Sequence, residues 1–341
     1  MLKAAVVILN YNGREMLRQF LPSVLQNTAL PYEVIVADNG STDDSLAFLA
    51  SNFPEVKVLA SKENGGFSKG YNTALNQIEA EYYVLLNSDV EVTPNWIAPV
   101  IALMDSNPLI AACQPKIRSF QDKKSFEYAG AAGGFIDHYG YPFCRGRIFD
   151  TLEEDLGQYD DYKEIFWATG ACMFVRADIY HQLGGLDEDF FAHMEEIDLC
   201  WRIKNAGYNV YYCPESTVYH LGGGTLHKSH PRKTFLNFRN GLVLLYKNLP
   251  SSQLYTTLFV RMVLDGIAAI KFLLGGGFKD FLAVLNAHFN FYKNLSLWKQ
   301  KRRDCSQLKN IDSNTGILHK SLIWSYFVKR KNKFKEIKFC K

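Results

Sequence analysis

In the run Tyr82-Tyr83-Val84-Leu85-Leu86-Asn87-Ser88-Asp89, five apolar or aromatic residues stop abruptly at a polar pair and a carboxylate. A short apolar run with polar boundaries predicts a buried strand. A strand that is apolar throughout predicts a parallel sheet with helices on both faces. Open α/β sheets bind ligands beyond the carboxyl ends of their strands. Asp89 falls at that rim, where a carboxylate suits a hard divalent ion. Capping of the following turn is the plainer alternative.

Outward from this run the same rhythm repeats. Ala4 to Leu9, Glu33 to Ala37 and Val56 to Leu59 read as strands. Between them, Met16-Leu17, Phe20-Leu21 and Val24-Leu25 recur at helical spacing, and Ser41-Thr42-Asp43-Asp44 resembles a capping box. Gly70 to Ile78 reads as helical, and Thr93-Pro94 as a helix start with proline at its first position. Strands alternating with helices predict βαβ units and a mostly parallel sheet. Ile110 to Ile117, Phe166 to Val175 and Tyr208 to Cys213 read as further strands, and Asp189 to Gly207 contains a helix. Residues 118 to 165 give no clear order. From about residue 234 the pattern is helical.

Each early strand runs into polar residues: Asn10-Tyr11-Asn12-Gly13, Asp38-Asn39-Gly40-Ser41, Asn64-Gly65-Gly66-Phe67-Ser68-Lys69-Gly70, and Asn87-Ser88-Asp89. Gly65-Gly66 precede a helix whose amino end favours phosphate, and Lys69 adds positive charge. Asp38 is placed to accept a hydrogen bond from a pyrimidine imide or a ribose hydroxyl. A single such set would be ordinary loop chemistry; four on one rim predict a nucleotide site. No GxGxxG follows the first strand and no GxxxxGK[ST] occurs, which excludes a P-loop and argues against NAD or FAD.

A second cluster spans Asp187 to Arg202. On a helix from about Glu195, Glu196 shares a stripe with Leu199, Cys200 and Ile203. Asp198 pairs with Arg202 four residues on, which predicts a structural role. An acid on an apolar face is raised toward the pKa of a useful base. A first-turn acid stabilised by the helix dipole is the alternative for Glu196. Trp167, Gly170, Ala171 and Phe191 are acceptor-side candidates for a ring-shaped substrate, whose faces aromatic side chains suit, though each reads first as core.

The formal charge of +3 hides an asymmetry: residues 299 to 341 carry 13 Lys and Arg against 3 Asp and Glu, leaving 25 against 32 elsewhere. A basic tail predicts an anionic partner. Thr257 to Leu274 is strongly apolar but holds Arg261, Asp265 and Lys271, so it does not read as a spanning helix. Packing against the body, a homodimer through these helices, or lying on an anionic membrane are the readings open for residues 236 to 341. Seven scattered cysteines without a CxxC argue against a disulfide framework or a zinc site. With no signal-peptide pattern, the expected location is cytoplasmic, the tail pointing to the inner face of the plasma membrane.

Taken in order, the strand-end sets and Phe190-Phe191…Glu195-Glu196-Ile197-Asp198-Leu199-Cys200-Trp201-Arg202 resemble family 2 glycosyltransferases of the GT-A fold. The likeness is greatest to rhamnosyltransferase-type members of bacterial polysaccharide assembly. It covers roughly residues 1 to 240, and the catalytic domain is set at residues 1 to 235. The resemblance implies a non-processive, inverting transfer from a nucleotide diphosphate sugar, dTDP-rhamnose first and UDP-sugars next, to a saccharide or lipid-linked acceptor. Nucleic acid is not expected as a partner. It implies donor contacts from Asn10, Asn12, Asp38, Asn39, Gly65, Gly66, Lys69, Asn72, Asn87, Ser88 and Asp89. Asp89 would hold Mg²⁺ or Mn²⁺ with His220 completing the site, and His227 and His230 would lie in a stretch closing over the donor. Glu196 occupies the usual base position, though Glu in place of Asp leaves the choice between Glu195 and Glu196 open. A nucleotidyltransferase and a non-catalytic membrane-associated nucleotide-sugar-binding module are the alternatives.

Overall fold

Ala4, Ala5, Val6 and Val7 are fully buried although they alternate in direction along one strand. Ala5, Val7, Ile35, Ala37, Tyr83 and Leu85 enter one core; Ala4, Val6, Ile8, Val34, Val36, Val84 and Leu86 enter another. A sheet covered on both faces requires this split, and it explains why the strands read as apolar throughout.

The computed structural model describes residues 1–222, 230–307 and 315–339. The first half contains β1 (Leu2–Asn10), α1 (Arg14–Gln26), β2 (Tyr32–Asp38), α2 (Ser45–Asn52), β3 (Lys57–Ala60), α3 (Gly66–Leu75), β4 (Ala80–Asn87), β5 (Val90–Val92), α4 (Ala98–Ser106) and β6 (Ile110–Ser119). Short strands follow: β7 (Gly134–Asp137), β8 (Pro142–Cys144), β9 (Arg147–Ile148), β10 (Thr151–Leu152) and β11 (Lys163–Ile165). Then come β12 (Cys172–Arg176), α5 (Ala177–Gln182), α6 (Glu195–Asn205), β13 (Asn209–His220), α7 (Pro231–Asn248), α8 (Ser251–Leu274), α9 (Phe278–Lys293), α10 (Leu295–Gln307) and β14 (Ile317–Leu318).

Among the described residues the main sheet runs β11-β13-β6-β12-β4-β1-β2-β3, with β5 on β13. The strands β3, β2, β1 and β4 are parallel, and β12 enters antiparallel between β4 and β6. A second sheet, β10-β9-β8-β7-β14, joins the unordered middle of the sequence to its far end.

Several expectations need correction. Thr93-Pro94 do not start a helix: Val90–Val92 pair with β13 instead, and α4 begins at Ala98. Phe166 to Ala171 are not strand, Trp167 making only an isolated bridge to Gly134, and Cys172–Arg176 alone join the sheet. No side chain caps α2 at Asp44. β13 runs on to His220, which places that residue at a strand end and not in a loop. The expected boundary at residue 235 falls inside α7, whose Leu242, Val243, Leu244 and Leu245 share a core with the sheet.

Candidate active site

Strand register assembles the rim. Asn10 lies opposite Asp38, and Leu9 opposite Asn87. A cavity of about 310 Å³ opens there, lined by Asn12, Gly13 and Arg14 after β1, Asp43 and Asp44 after β2, and Ser88 and Asp89 after β4. Gly13 is required: a Cβ would stand 2.4 Å from Asn10 Oδ1. Arg14 is the cation of this lining.

Several residues expected to hold the donor are instead engaged with one another. Asp38 is 1% exposed; its two oxygens accept from Asn10 Nδ2 (2.9 Å) and the Ser41 amide (2.9 Å), so it stiffens the rim and presents no free carboxylate. Asn12 Oδ1 accepts from the Thr42 (2.7 Å) and Asp43 (3.2 Å) amides, tying the first loop to the second. Asn39 donates to Gly66 O (2.9 Å) and accepts from the Gly65 amide (3.1 Å). Asn64 takes the Gly66 amide (2.8 Å), and Phe191 O takes that of Phe67 (2.8 Å). The amino end of α3 therefore has its first amides satisfied and is no open phosphate cradle. Gly66 has φ +80, and a Cβ there would meet the Phe191 ring at 2.6 Å. Lys69 pairs with Glu63 at 3.0 Å and does not line the cavity. Asn72 also turns away: it donates to Leu186 O and Glu188 and accepts from Tyr180 Oη.

The cavity's other wall carries a charged chain. Asp89 Oδ1 lies 3.1 Å from His220 Nε2, and Asn87 Nδ2 lies 3.4 Å from the same nitrogen. Glu127 Oε2 stands 3.3 Å from His220 Nδ1. Burial favours a neutral imidazole, but the Glu127 and Asp89 carboxylates override it and raise the ring's pKa to about 10. Burial likewise opposes the charge on Asp89, yet His220 holds its carboxyl below the ordinary range. A divalent ion held by Asp89 Oδ1 and His220 Nε2 would displace the proton between them, since only the neutral ring can ligate, and Glu127 beside the far nitrogen would orient the ring. Among the described residues no group of three or more His, Cys, Asp or Glu could cage a metal. The donor set fits an ion that takes its remaining ligands from phosphate oxygens and water.

The second acid cluster is held by strain and clamped. Phe191, His193 and Met194 have φ of 64, 69 and 72, backbone that non-glycine residues rarely adopt. Asn240 Nδ2, on α7, donates to Phe190 O (3.1 Å), Ala192 O (2.9 Å) and His193 O (2.7 Å). Arg239 donates to Asp189 O and Phe190 O. The chain then enters α6 directly at Glu195 and Glu196. Burial and the neighbouring Glu196 charge drive the Glu195 carboxyl well above the carboxylate range. Burial raises Glu196 to about 7, against hydrogen bonds from nearby amides. Each acid has an Oε2 without a partner. Asp198 is saturated by Arg202, Lys247 and Asn248, as a structural acid should be.

Two chain links connect this acid pair to the metal side. The Asn87 amide donates to Ala171 O at 3.0 Å, and a Cβ on Gly170 would lie 3.9 Å from Glu196 Cβ. Of the acceptor-side candidates, Gly170 therefore sits beside Glu196. Phe191 is wedged between Gly66 and the Arg232 guanidinium, 4.7 Å away. Trp167 is core: 4% exposed, its Nε1 donates to Phe135 O. Ala171 is buried and serves through its backbone. His230 caps α7, accepting from the Arg232 amide, and His227 lies outside the described residues.

A family model described as glycosyl transferase family 2 matches residues 5–184. The chain belongs to this family. An N-acetylglucosaminyl-diphospho-decaprenol L-rhamnosyltransferase of Mycobacterium tuberculosis is 28% identical over 243 residues, 66% of this chain and 76% of the relative. A low-salt glycan biosynthesis hexosyltransferase, Agl10, of Haloferax volcanii is 24% identical, over 61% of this chain and 64% of its own. Among solved structures, GalNAc-T7 with UDP, GalNAc and Mn²⁺ superposes with TM-score 0.55 at 18% identity, over 72% of this chain and 48% of that one. A mannosyltransferase from Pyrobaculum calidifontis with GDP-Man and Mn²⁺ gives 0.51 at 14%, over 90% and 85%. At these identities the likeness shows the fold, which is GT-A. In this glycosyltransferase, the sequence reading missed Glu127, Asn240 and Arg14. Glu127 lies in residues 118 to 165, where the sequence gave no clear element order, Asn240 in the C-terminal helical stretch, and Arg14 directly after the polar set that ends β1.

Proposed function

We propose that the protein moves a sugar, rhamnose first among candidates, from a dTDP- or UDP-sugar to a saccharide or lipid-linked saccharide in surface glycan assembly, with inversion. Support for donor and acceptor class comes from the M. tuberculosis relative, whose name carries both a rhamnosyl transfer and a diphospho-polyprenol. The observation that carries the chemistry is Glu196: an unpartnered carboxylate oxygen, a pKa near 7, and a position linked through Gly170 and Ala171 to Asn87.

Glu196 removes the proton of an acceptor hydroxyl, and that oxygen attacks the anomeric carbon from the face opposite the leaving nucleoside diphosphate. A positioned base supplies roughly 10²–10⁴-fold. Glu195, kept protonated by burial, leaves its neighbour to ionise first. Asp89 and His220 would hold Mg²⁺ or Mn²⁺; when bound, the ion offsets charge building on the departing diphosphate. Arg14, the cation of the same cavity, is paired there with Glu15 (3.4 Å) and Asp44 (3.3 Å). Alignment of the two substrates contributes the remainder.

Thermal-shift screening of dTDP- and UDP-sugars with and without Mn²⁺, followed by measuring nucleoside diphosphate release with acceptor present, tests the proposal. A metal-dependent shift is expected for one donor class, and Asp89→Ala should lose the metal dependence. Stabilisation by nucleotide sugars that is the same with chelator and in Asp89→Ala would reject the metal role.

A further inference from the structure

On α8 the usual polarity is reversed. Arg261 and Asp265 are 3% and 0% exposed and pair with each other at 2.8 Å, facing the body. Arg261 also donates to Tyr139 O and lies over the Tyr141 ring. The outward stripe is apolar instead: Tyr255, Phe259, Val263 and Ile267 recur every fourth residue, with Phe259 70% and Ile267 59% exposed. α9 folds back against α8, and Leu282, Leu285 and Phe289 continue the apolar face, Phe289 at 69%. Tyr292 Oη on Met262 Sδ and His288 on Asp265 set the two helices side by side. Soluble proteins rarely leave a contiguous apolar face of this extent uncovered.

The borders of this face indicate what covers it. Lys271, Lys279 and Lys293 are exposed along it. Lys271 Nζ lies over the Phe327 ring, 4.9 Å away, and exposed Trp324, Phe327 and Val328 lead into Lys329-Arg330-Lys331. The acids of the hairpin are withdrawn: Asp265 is buried and Asp280 binds Thr234 Oγ1. No helix among the described residues is long and apolar enough to cross a membrane. An apolar face flanked by these exposed lysines matches the boundary between acyl chains and anionic headgroups. A second copy stacked face to face would bring two basic borders together, which like charge disfavours.

We infer that the α8–α9 hairpin seats the protein, without crossing, on an anionic lipid surface. The turn of the hairpin touches α7 near the residues that hold the acid-pair loop. Phe272 contacts Phe238, and Asp280 binds Thr234, both on α7, whose Arg239 and Asn240 hold the Glu195–Glu196 loop. Leu274, 84% exposed, and Phe278, 56%, tip that turn. An acceptor carried in the bilayer would thus be presented on the side of the base. The docking itself rests on the surface and not on which sugar is moved.

Flotation of the full chain with vesicles of phosphatidylcholine alone, or with phosphatidylglycerol at about 7:3, tests this without nucleotide or acceptor. Binding is expected chiefly to the anionic vesicles. The triple variant Phe259→Ser, Ile267→Ser, Phe289→Ser should lose at least about tenfold in partitioning, because it removes apolar area that only a lipid would cover. Its melting temperature should hold or rise, since all three side chains face solvent. Failure of the unaltered protein to float with either vesicle overturns the inference, as does undiminished flotation of the variant. A protein dimeric by sedimentation velocity, made monomeric by the substitutions and bound to neither vesicle, would assign the face to a second copy and overturn it too.

Discussion

Glu196, the proposed base, lies in an environment that gives it two separable signatures. A base must be ionised to act, so kcat/KM should rise with pH through about 7, burial being what lifts it there. Glu196→Gln should retain donor binding and lose turnover by at least about 10²-fold; transfer close to that of the unaltered enzyme would remove Glu196 as base. Stability supplies the second signature. An acid whose folded pKa exceeds its unfolded value favours the fold at low pH and loses that contribution as pH rises through the folded pKa. Glu196→Gln should therefore match the parent near pH 4 and be more stable above pH 8, by about 1–3 kcal/mol after allowing for partial exposure. Equal melting curves at pH 8 would show that the carboxyl is solvated. This acid was legible in the sequence, because Leu199, Cys200 and Ile203 recur on its stripe. What the sequence could not show is that Glu195, Asp198 and Arg202 are buried too, with Lys247 and Asn248 of α7 bonded to Asp198 and Asp198 paired with Arg202. Donor-side residues are harder to read for a related reason. Polar side chains at strand ends look alike whether they face a ligand or each other, and Asp38, Asn39 and Asn72 face each other or neighbouring loops.

At the scale of elements, local patterning served where contacts are local. β1, β2 and β4 could be placed because each is covered on both faces, and β1 and β2 are each followed by a helix. Residues 118 to 165 gave no order because their strands are two to four residues long, and β7 and β11 also depend on the distant β14 and β13. Thr93-Pro94 gave a false helix start because proline fits a turn as well as a first helical position. The loop between α5 and α6 depends most on a distant element. Three left-handed non-glycine residues there store roughly 1–3 kcal/mol each, and Asn240 holds them through three carbonyls. Asn240→Ala should release the loop, lowering kcat by about 10–100-fold while leaving the donor dissociation constant within about twofold. Asn240→Asp, which cannot donate, should be no better. An unaltered kcat in either variant would show that α6 holds the acid pair without the clamp.

At the scale of the whole molecule, the basic tail is a strap before it is an attachment. Its charge was evident in the sequence, but its anchorage was not, because that depends on aromatic packing spanning some two hundred residues. Phe334 and Phe339 lie 4.9 and 5.4 Å from Phe135, and Phe334 lies 5.9 Å from Tyr159. The Phe334 amide donates to Glu153, the Leu322 amide to Asp137, and Ile317–Leu318 add a strand beside β7. Phe135 and Phe143 are 3% and 0% exposed only while this strap is in place. Removing residues 315 to 341 uncovers their rings and frees a buried sheet edge. At roughly 1–2 kcal/mol for each aromatic ring uncovered, the deletion should cost about 3–5 kcal/mol and several degrees of melting temperature. A truncated chain that melts with the intact protein would show that the strap is peripheral to the fold. Because the deletion acts on the core, reduced vesicle binding by the truncated chain would not identify the tail as the lipid anchor. The substitutions on the outer face of α8 and α9, which leave the strap and its aromatic packing intact, separate lipid binding from folding.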